Sequence, residues 1–101
     1  MAISLHRIEG FERDDGNARK SEAKHGVTQA EAEQVFFGEP LLLLRDERHS
    51  GGEARLHALG RTDAGRHLHV TFTVRRDGTR IRVISARNMT RKERARYDQE
   101  T

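Results

Sequence analysis

The sequence predicts an α+β domain, and three observations carry that prediction. Apolar and polar residues alternate through residues 67–75, two Thr-x-x-Glu signatures mark helix starts, and the segments run strand, helices, strands, helix. At 101 residues the chain fits a single domain spanning 1–101 with one modest core.

The elements follow in order. A short strand is expected near residues 8–13, with Phe11 inward. Gly16-Asn17 offers a turn and an N-cap for a helix over residues 18–25, and Gly26 sits where a left-handed residue would end it. Thr28-Gln29-Ala30-Glu31 has the capping-box form and opens a second helix that puts Ala32, Val35 and Phe36 on one face. It stops near Gly38-Glu39-Pro40. Leu41-Leu42-Leu43-Leu44 reads as a short buried strand and residues 55–61 as another. In residues 67–75 Leu68, Val70, Phe72 and Val74 face one side, and His67, His69, Thr71, Thr73 and Arg75 the other. Asp77-Gly78 signals a hairpin turn into a strand over residues 80–87, with Ile81 and Val83 on one face and Ile84 on the other. Thr90-Arg91-Lys92-Glu93 is a second capping box. The helix it opens, to about residue 99, is poor in apolar residues and rich in arginine, so it gains little from packing and reads as a functional or partner-covered surface. The expected architecture is thus an N-terminal strand and two helices, a four-stranded antiparallel sheet, and a C-terminal helix.

Charge narrows the function. The net charge is +3, but residues 1–50 carry 7 Lys+Arg against 10 Asp+Glu (−3) and residues 51–101 carry 12 against 6 (+6). Lys92 is the only lysine of that basic half. Guanidinium groups hold phosphate bidentately and stack on bases, so this half points to a polyanion. No cysteine is present, which excludes a disulfide framework, a thiolate metal site and a Cys nucleophile. The longest apolar run, residues 41–44, is too short to cross a membrane, and residues 1–7 lack the apolar core of a signal peptide. No membrane association and a cytoplasmic location are the expectation.

Three segments, in order, resemble one family. Lys24-His25-Gly26-Val27 with the helix ending in Val35-Phe36, Glu53-Ala54-Arg55 with Gly60-Arg61, and Ile84-Ser85-Ala86-Arg87 continued by Thr90-Arg91-Lys92-Glu93-Arg94 and Tyr97 are similar to the motifs of BrnT toxins. The likeness runs from about Phe11 to Tyr97. Two departures stand near the start: Arg13 where the family often has Trp, and Ser21 where Asn is common. The resemblance implies a RelE-like fold and an endoribonuclease toxin of a type II toxin–antitoxin system that inhibits translation. It also implies a BrnA-like ribbon-helix-helix antitoxin as partner, typically in a two-plus-two complex that reaches DNA only through the antitoxin. A non-catalytic module of the same fold that binds RNA or the antitoxin is the alternative.

RNA cleavage without metal or cofactor needs a base for the 2′-hydroxyl, charge on the phosphoryl oxygens, and an acid for the departing 5′-oxygen. Arginine suits the second task because it stays protonated. His25, beside Lys24 at a helix end, is the first acid–base candidate, though His25-Gly26 also fits a plain helix cap. Glu53 is a candidate base or an ion-pair partner. Arg75 and Arg87 end adjacent strands and are expected to clamp phosphate together. Tyr97, the only tyrosine, is a base-stacking group, a proton donor, or the anchor of the last helix. Arg55, Arg61, Arg82, Arg91 and Arg94 are the candidate RNA contacts. His67 and His69 share a strand face, and with His57 as a third ligand they invite a metal reading, which half-exposed strand histidines satisfy less often than a structural one. His6 and His49 carry no signal.

Overall fold

The computed structural model describes residues 5–46 and 55–101. Its elements are β1 (Gly10–Phe11), α1 (Asp15–His25), α2 (Gln29–Val35), β2 (Leu42–Arg45), β3 (Leu56–Arg61), β4 (His67–Arg75), β5 (Arg80–Asn88) and α3 (Arg91–Glu100). Local chemistry fixes the helix ends. Asp14, not Asn17, caps α1: its carboxylate accepts the Asn17 N–H at 2.9 Å and also pairs with Arg82. A carboxylate at that position outcompetes the expected Gly16-Asn17 turn, so the helix starts three residues early. Gly26 ends it at φ 67°, donating to the Glu22 and Ser21 carbonyls. Both capping boxes form as the sequence predicts, at Thr28 and Thr90.

The strands make one five-stranded sheet in the order β1-β5-β4-β3-β2. Four of them are antiparallel neighbours, but β1 lies parallel to β5 through Gly10↔Arg80 and Phe11↔Ile81. The sheet is therefore mixed and has five strands, where four antiparallel ones were expected. Phe11 gives the reason: its ring packs against Phe36 and Phe37 at 5.8 and 5.9 Å, which draws β1 against the free edge of β5. Farther along that edge Ser21 takes over, its hydroxyl accepting the Ala86 N–H at 3.1 Å.

The core lies between one sheet face and the first two helices. Leu56, Ala58, Leu68, Val70, Phe72, Ile81, Val83 and Ala86 meet Val27, Ala32 and Val35 there. Val83 and Ala86 are an odd number of residues apart, so strict alternation would send them to opposite faces. The register slips between Thr71 and Phe72: Phe72 pairs with Val83 but Thr71 pairs with Ser85, leaving Ile84 as the extra residue of a β-bulge. Both residues stay in the core, and Arg87 turns to the opposite face, across from His69. On that second side α3 closes in through Glu93 and Tyr97. Leu59 and Tyr97 are buried there, apart from the main cluster.

Gly60 is where α2 comes closest to the sheet. A Cβ there would stand 2.8 Å from Val35 Cγ1 and 3.3 Å from the Val35 carbonyl. Val35 is fully buried and stiff at χ1, so the helix itself must move. Gly60→Ala is expected to lower unfolding free energy by about 1–3 kcal/mol in urea titration; an unchanged midpoint would contradict this packing.

Candidate active site

The second sheet face gathers ionisable side chains in a chain of contacts. Arg87, near the end of β5, forks onto Glu93 of α3, with N–O distances of 2.8 and 2.9 Å. The same carboxylate lies 2.6 Å from His69 Nδ1 of β4. His69 Nε2 stands 2.9 Å from His57 Nδ1 of β3, the rings meeting edge to face. His57 Nδ1 also lies 3.1 Å from the Thr71 hydroxyl, and its Nε2 is 3.4 Å from Asp46 just after β2. Three strands, one helix and the residue that follows β2 thus contribute to one line, Asp46–His57–His69–Glu93–Arg87. Cross-strand register builds it: Arg87 is opposite His69, and His57 is opposite Thr71.

Burial would raise the Glu93 carboxyl, but the Arg87 guanidinium, the Thr90 N–H and His69 outweigh it and bring Glu93 down to about 2. Glu93 in turn raises Arg87. Burial lowers His69 below the usual imidazole range, helped by the charges of Arg87 and His57 and opposed by Glu93. Read as a hydrogen bond to the ionised carboxylate, the short contact puts the proton of His69 on Nδ1, the nitrogen that also lies 3.0 Å from Arg87 Nη2.

The predicted site residues are distributed unevenly. Arg87 is in this cluster. Arg75 is not: it pairs with Arg80 at the hairpin end of β4, six residues from His69, or about 20 Å at ~3.3 Å per residue. The antiparallel register puts the two arginines at opposite ends of the hairpin, so they form no phosphate clamp, and Arg75 lies 3.9 Å from Glu12 instead. Tyr97 is buried, donates its hydroxyl to the Pro40 carbonyl at 2.5 Å and meets the His67 ring. That makes it the anchor among its three readings. His25 and Lys24 line a shallow cleft of about 170 Å³ with Lys20, Ser21, Ile84 and Ser85, along the outer edge of β5. Arg66 ties this rim to the end of β5, bonding the Gly26 carbonyl at 2.9 Å and Asn88 Oδ1 at 2.8 Å. Glu53 lies outside the described residues, as does His49. Arg82 pairs with Asp14, Arg61 donates to the Glu39 carbonyl, Arg94 pairs with Asp98, Arg91 is exposed, and Arg55 directly precedes β3. The His67 ring meets Tyr97 edge to face, and among the described residues no group of three His, Asp or Glu converges as metal ligands.

A family model for the ribonuclease toxin BrnT of type II toxin–antitoxin systems matches residues 14–93. The chain belongs to the BrnT family. Among solved structures, the crystal structure of the Brucella abortus ribonuclease toxin BrnT superposes with a TM-score of 0.60 at 20% sequence identity, covering 81% of this chain and 97% of that one. That match shows the shared α+β fold. No curated protein sequence matches significantly. Membership of a type II system implies a protein antitoxin as partner. Among the described residues no helix is long and apolar enough to cross a membrane.

Sequence reasoning for this BrnT-family chain placed Glu93 in a capping box and the family motif but not as the partner of Arg87, and grouped His57 with His69 only as candidate metal ligands. The signal was present: Glu93 stands six residues after Arg87, one tight turn away. Because Glu93 titrates lower folded than unfolded, its contribution to stability is complete above the unfolded carboxylate range near 4.5 and is lost as pH falls toward about 2. Acid titration of unfolding free energy is expected to fall less steeply across that window in Glu93→Gln than in wild type; equal slopes would refute the Glu93 assignment.

Proposed function

We propose that this chain, read as one BrnT-like toxin domain over 1–101, is a metal-independent endoribonuclease. It cleaves RNA in the cytoplasm by 2′-hydroxyl attack and so inhibits translation. The observation that carries this reading is Arg87. Its side chain keeps 35% of its surface exposed, while Glu93 fixes the direction of the guanidinium through two hydrogen bonds. A pre-oriented cation beside a basic rim is what a phosphorane with growing negative charge requires.

In the reaction, the RNA 2′-oxygen forms a bond to phosphorus and the bond from phosphorus to the 5′-oxygen breaks. The products are a 2′,3′-cyclic phosphate and a 5′-hydroxyl. Arg87 neutralises the phosphoryl oxygens. His25, half-buried at the rim with Lys24, is the candidate for moving the 2′-proton, and Arg66 holds the end of its helix against the strand that carries Arg87. Glu53, which enters through the family motif, is kept as an alternative base. Arg55, Arg91 and Arg94 suit the RNA backbone. Arg82 and Arg75 lie toward the hairpin, and Arg82 serves first as the partner of Asp14. The antitoxin is read as BrnA-like, with a ribbon-helix-helix domain and a two-plus-two complex that contacts DNA only through that domain. The fold is read as RelE-like, with α1 and α2 over one sheet face and Arg87 on the other beside α3.

The test is incubation with single-stranded RNA in excess EDTA. Cyclic phosphate ends are expected from wild type, and Arg87→Ala, verified as folded, should lose about 10²–10³-fold in rate. Intact RNA with wild type would overturn the stand-alone ribonuclease and leave the non-catalytic RNA- or antitoxin-binding module.

A further inference from the structure

The two histidines behind Glu93 raise a separate question, because neither was required by the reaction above. Every ring nitrogen already has a neighbour. His69 Nδ1 faces Glu93, His69 Nε2 and His57 Nδ1 face each other, and His57 Nε2 faces Asp46. The side chains are only 13% exposed for His69 and 23% for His57. The pair is therefore placed to act through Glu93 and not to touch RNA.

Proton counting shows what it can do. Three contacts, to Glu93, between the rings and to Asp46, each need one N–H. A neutral pair has two ring protons, so one of the three contacts goes without. One added proton supplies all three. Charge counting agrees. Among the described residues, the ionised groups that face the pair are Asp46 after β2, Glu93 of α3 and Arg87 of β5, and β4 adds the Thr71 hydroxyl. With both carboxylates ionised and the pair neutral, the cluster carries one net negative charge, which opposes a phosphodiester. With the pair protonated it carries none.

We infer that His57 and His69 are positioning residues of the ribonuclease site: binding of an RNA phosphate at Arg87 is coupled to uptake of one proton by this histidine pair. Uptake offsets the arriving negative charge and holds Glu93 while Arg87 engages the phosphate. The inference rests on the reading of Arg87 as the phosphate ligand. Burial of His69 disfavours its charged form in the free protein, so an arriving phosphate has a proton still to draw in.

The probe is a fluorescent 2′-O-methyl RNA oligomer, which binds without being cleaved. Its Kd is measured by anisotropy from pH 6 to 8 at fixed ionic strength, with proton uptake read by calorimetry in buffers of different ionisation enthalpy. Wild type is expected to bind more weakly as pH rises, by up to about tenfold per pH unit above the pair's own pKa. His69→Asn keeps a donor for Glu93 but cannot titrate, and it should flatten that slope. His57→Asn tests the same loss from the other ring, and thermal melting verifies that each variant is folded. His67→Gln, altered at a strand histidine turned toward Tyr97, should keep the slope. Tight binding with a flat Kd in wild type, or an unchanged slope in the folded Asn variants, overturns the inference and leaves the ribonuclease reading intact. No binding at any pH overturns both.

Discussion

A single extra residue in β5 decides what the far face of the sheet can be. Strand alternation counted from Ile81 and Val83 would drive Arg87 into the core and expel Ala86. The bulge at Ile84 restores Ala86 to the core, where it packs in the cluster with Val70 and Leu68, and swings Arg87 across to His69. Burying a guanidinium among Val27, Val70 and Phe72 would cost several kcal/mol, so the bulged register is the one the hydrophobic pattern selects. The active-site candidate is then a consequence of core packing.

Glu93 binds this strand to the last helix. Its carboxylate accepts the Thr90 N–H at 2.9 Å, completing the cap of α3, and the same two oxygens hold Arg87 and His69. That explains how a helix so poor in apolar residues keeps its place. Only Tyr97 is buried along α3, its hydroxyl fixed on Pro40, while Glu93 secures the first turn. Two anchors one and a bit turns apart define the orientation of a ten-residue helix without a hydrophobic stripe. The exposed arginines of α3 are thereby released from any duty to the core.

Locally coded features were legible and long-range ones were not. The two capping boxes, the Gly26 helix end, the alternation of β4 and the hairpin at Asp77-Gly78 each depend on residues close in sequence, and all are present. The parallel pairing of β1 depends on Phe11 finding Phe36, which no local pattern announces. Counting back from the hairpin pairs Arg75 with Arg80 and would set His69 opposite Ala86; the bulge moves it to Arg87. The contact of Arg87 and its Glu93 fork with His69 follows from that one-residue shift, whereas the histidine pair comes from the β3–β4 register and the separation of Arg75 from Arg87 from the antiparallel hairpin. Arg87 itself was legible through the family motif, and Tyr97 was legible as one of three readings.

The fork between Arg87 and Glu93 sets the terms on which phosphate can bind. A guanidinium offers five N–H donors, and the bonds to Asn88 and Glu93 use three of them. A ligand that displaced Glu93 would strand a carboxylate whose partners hold it near pKa 2, so displacement is disfavoured and phosphate is better taken on the remaining edge. Glu93 then stays as the group that fixes the direction of the guanidinium while cancelling part of its charge. Orientation is gained and electrostatic pull is weakened by the same contact. A further positive charge behind the carboxylate, supplied by the half-buried histidines, is the arrangement that restores the pull without loosening the orientation.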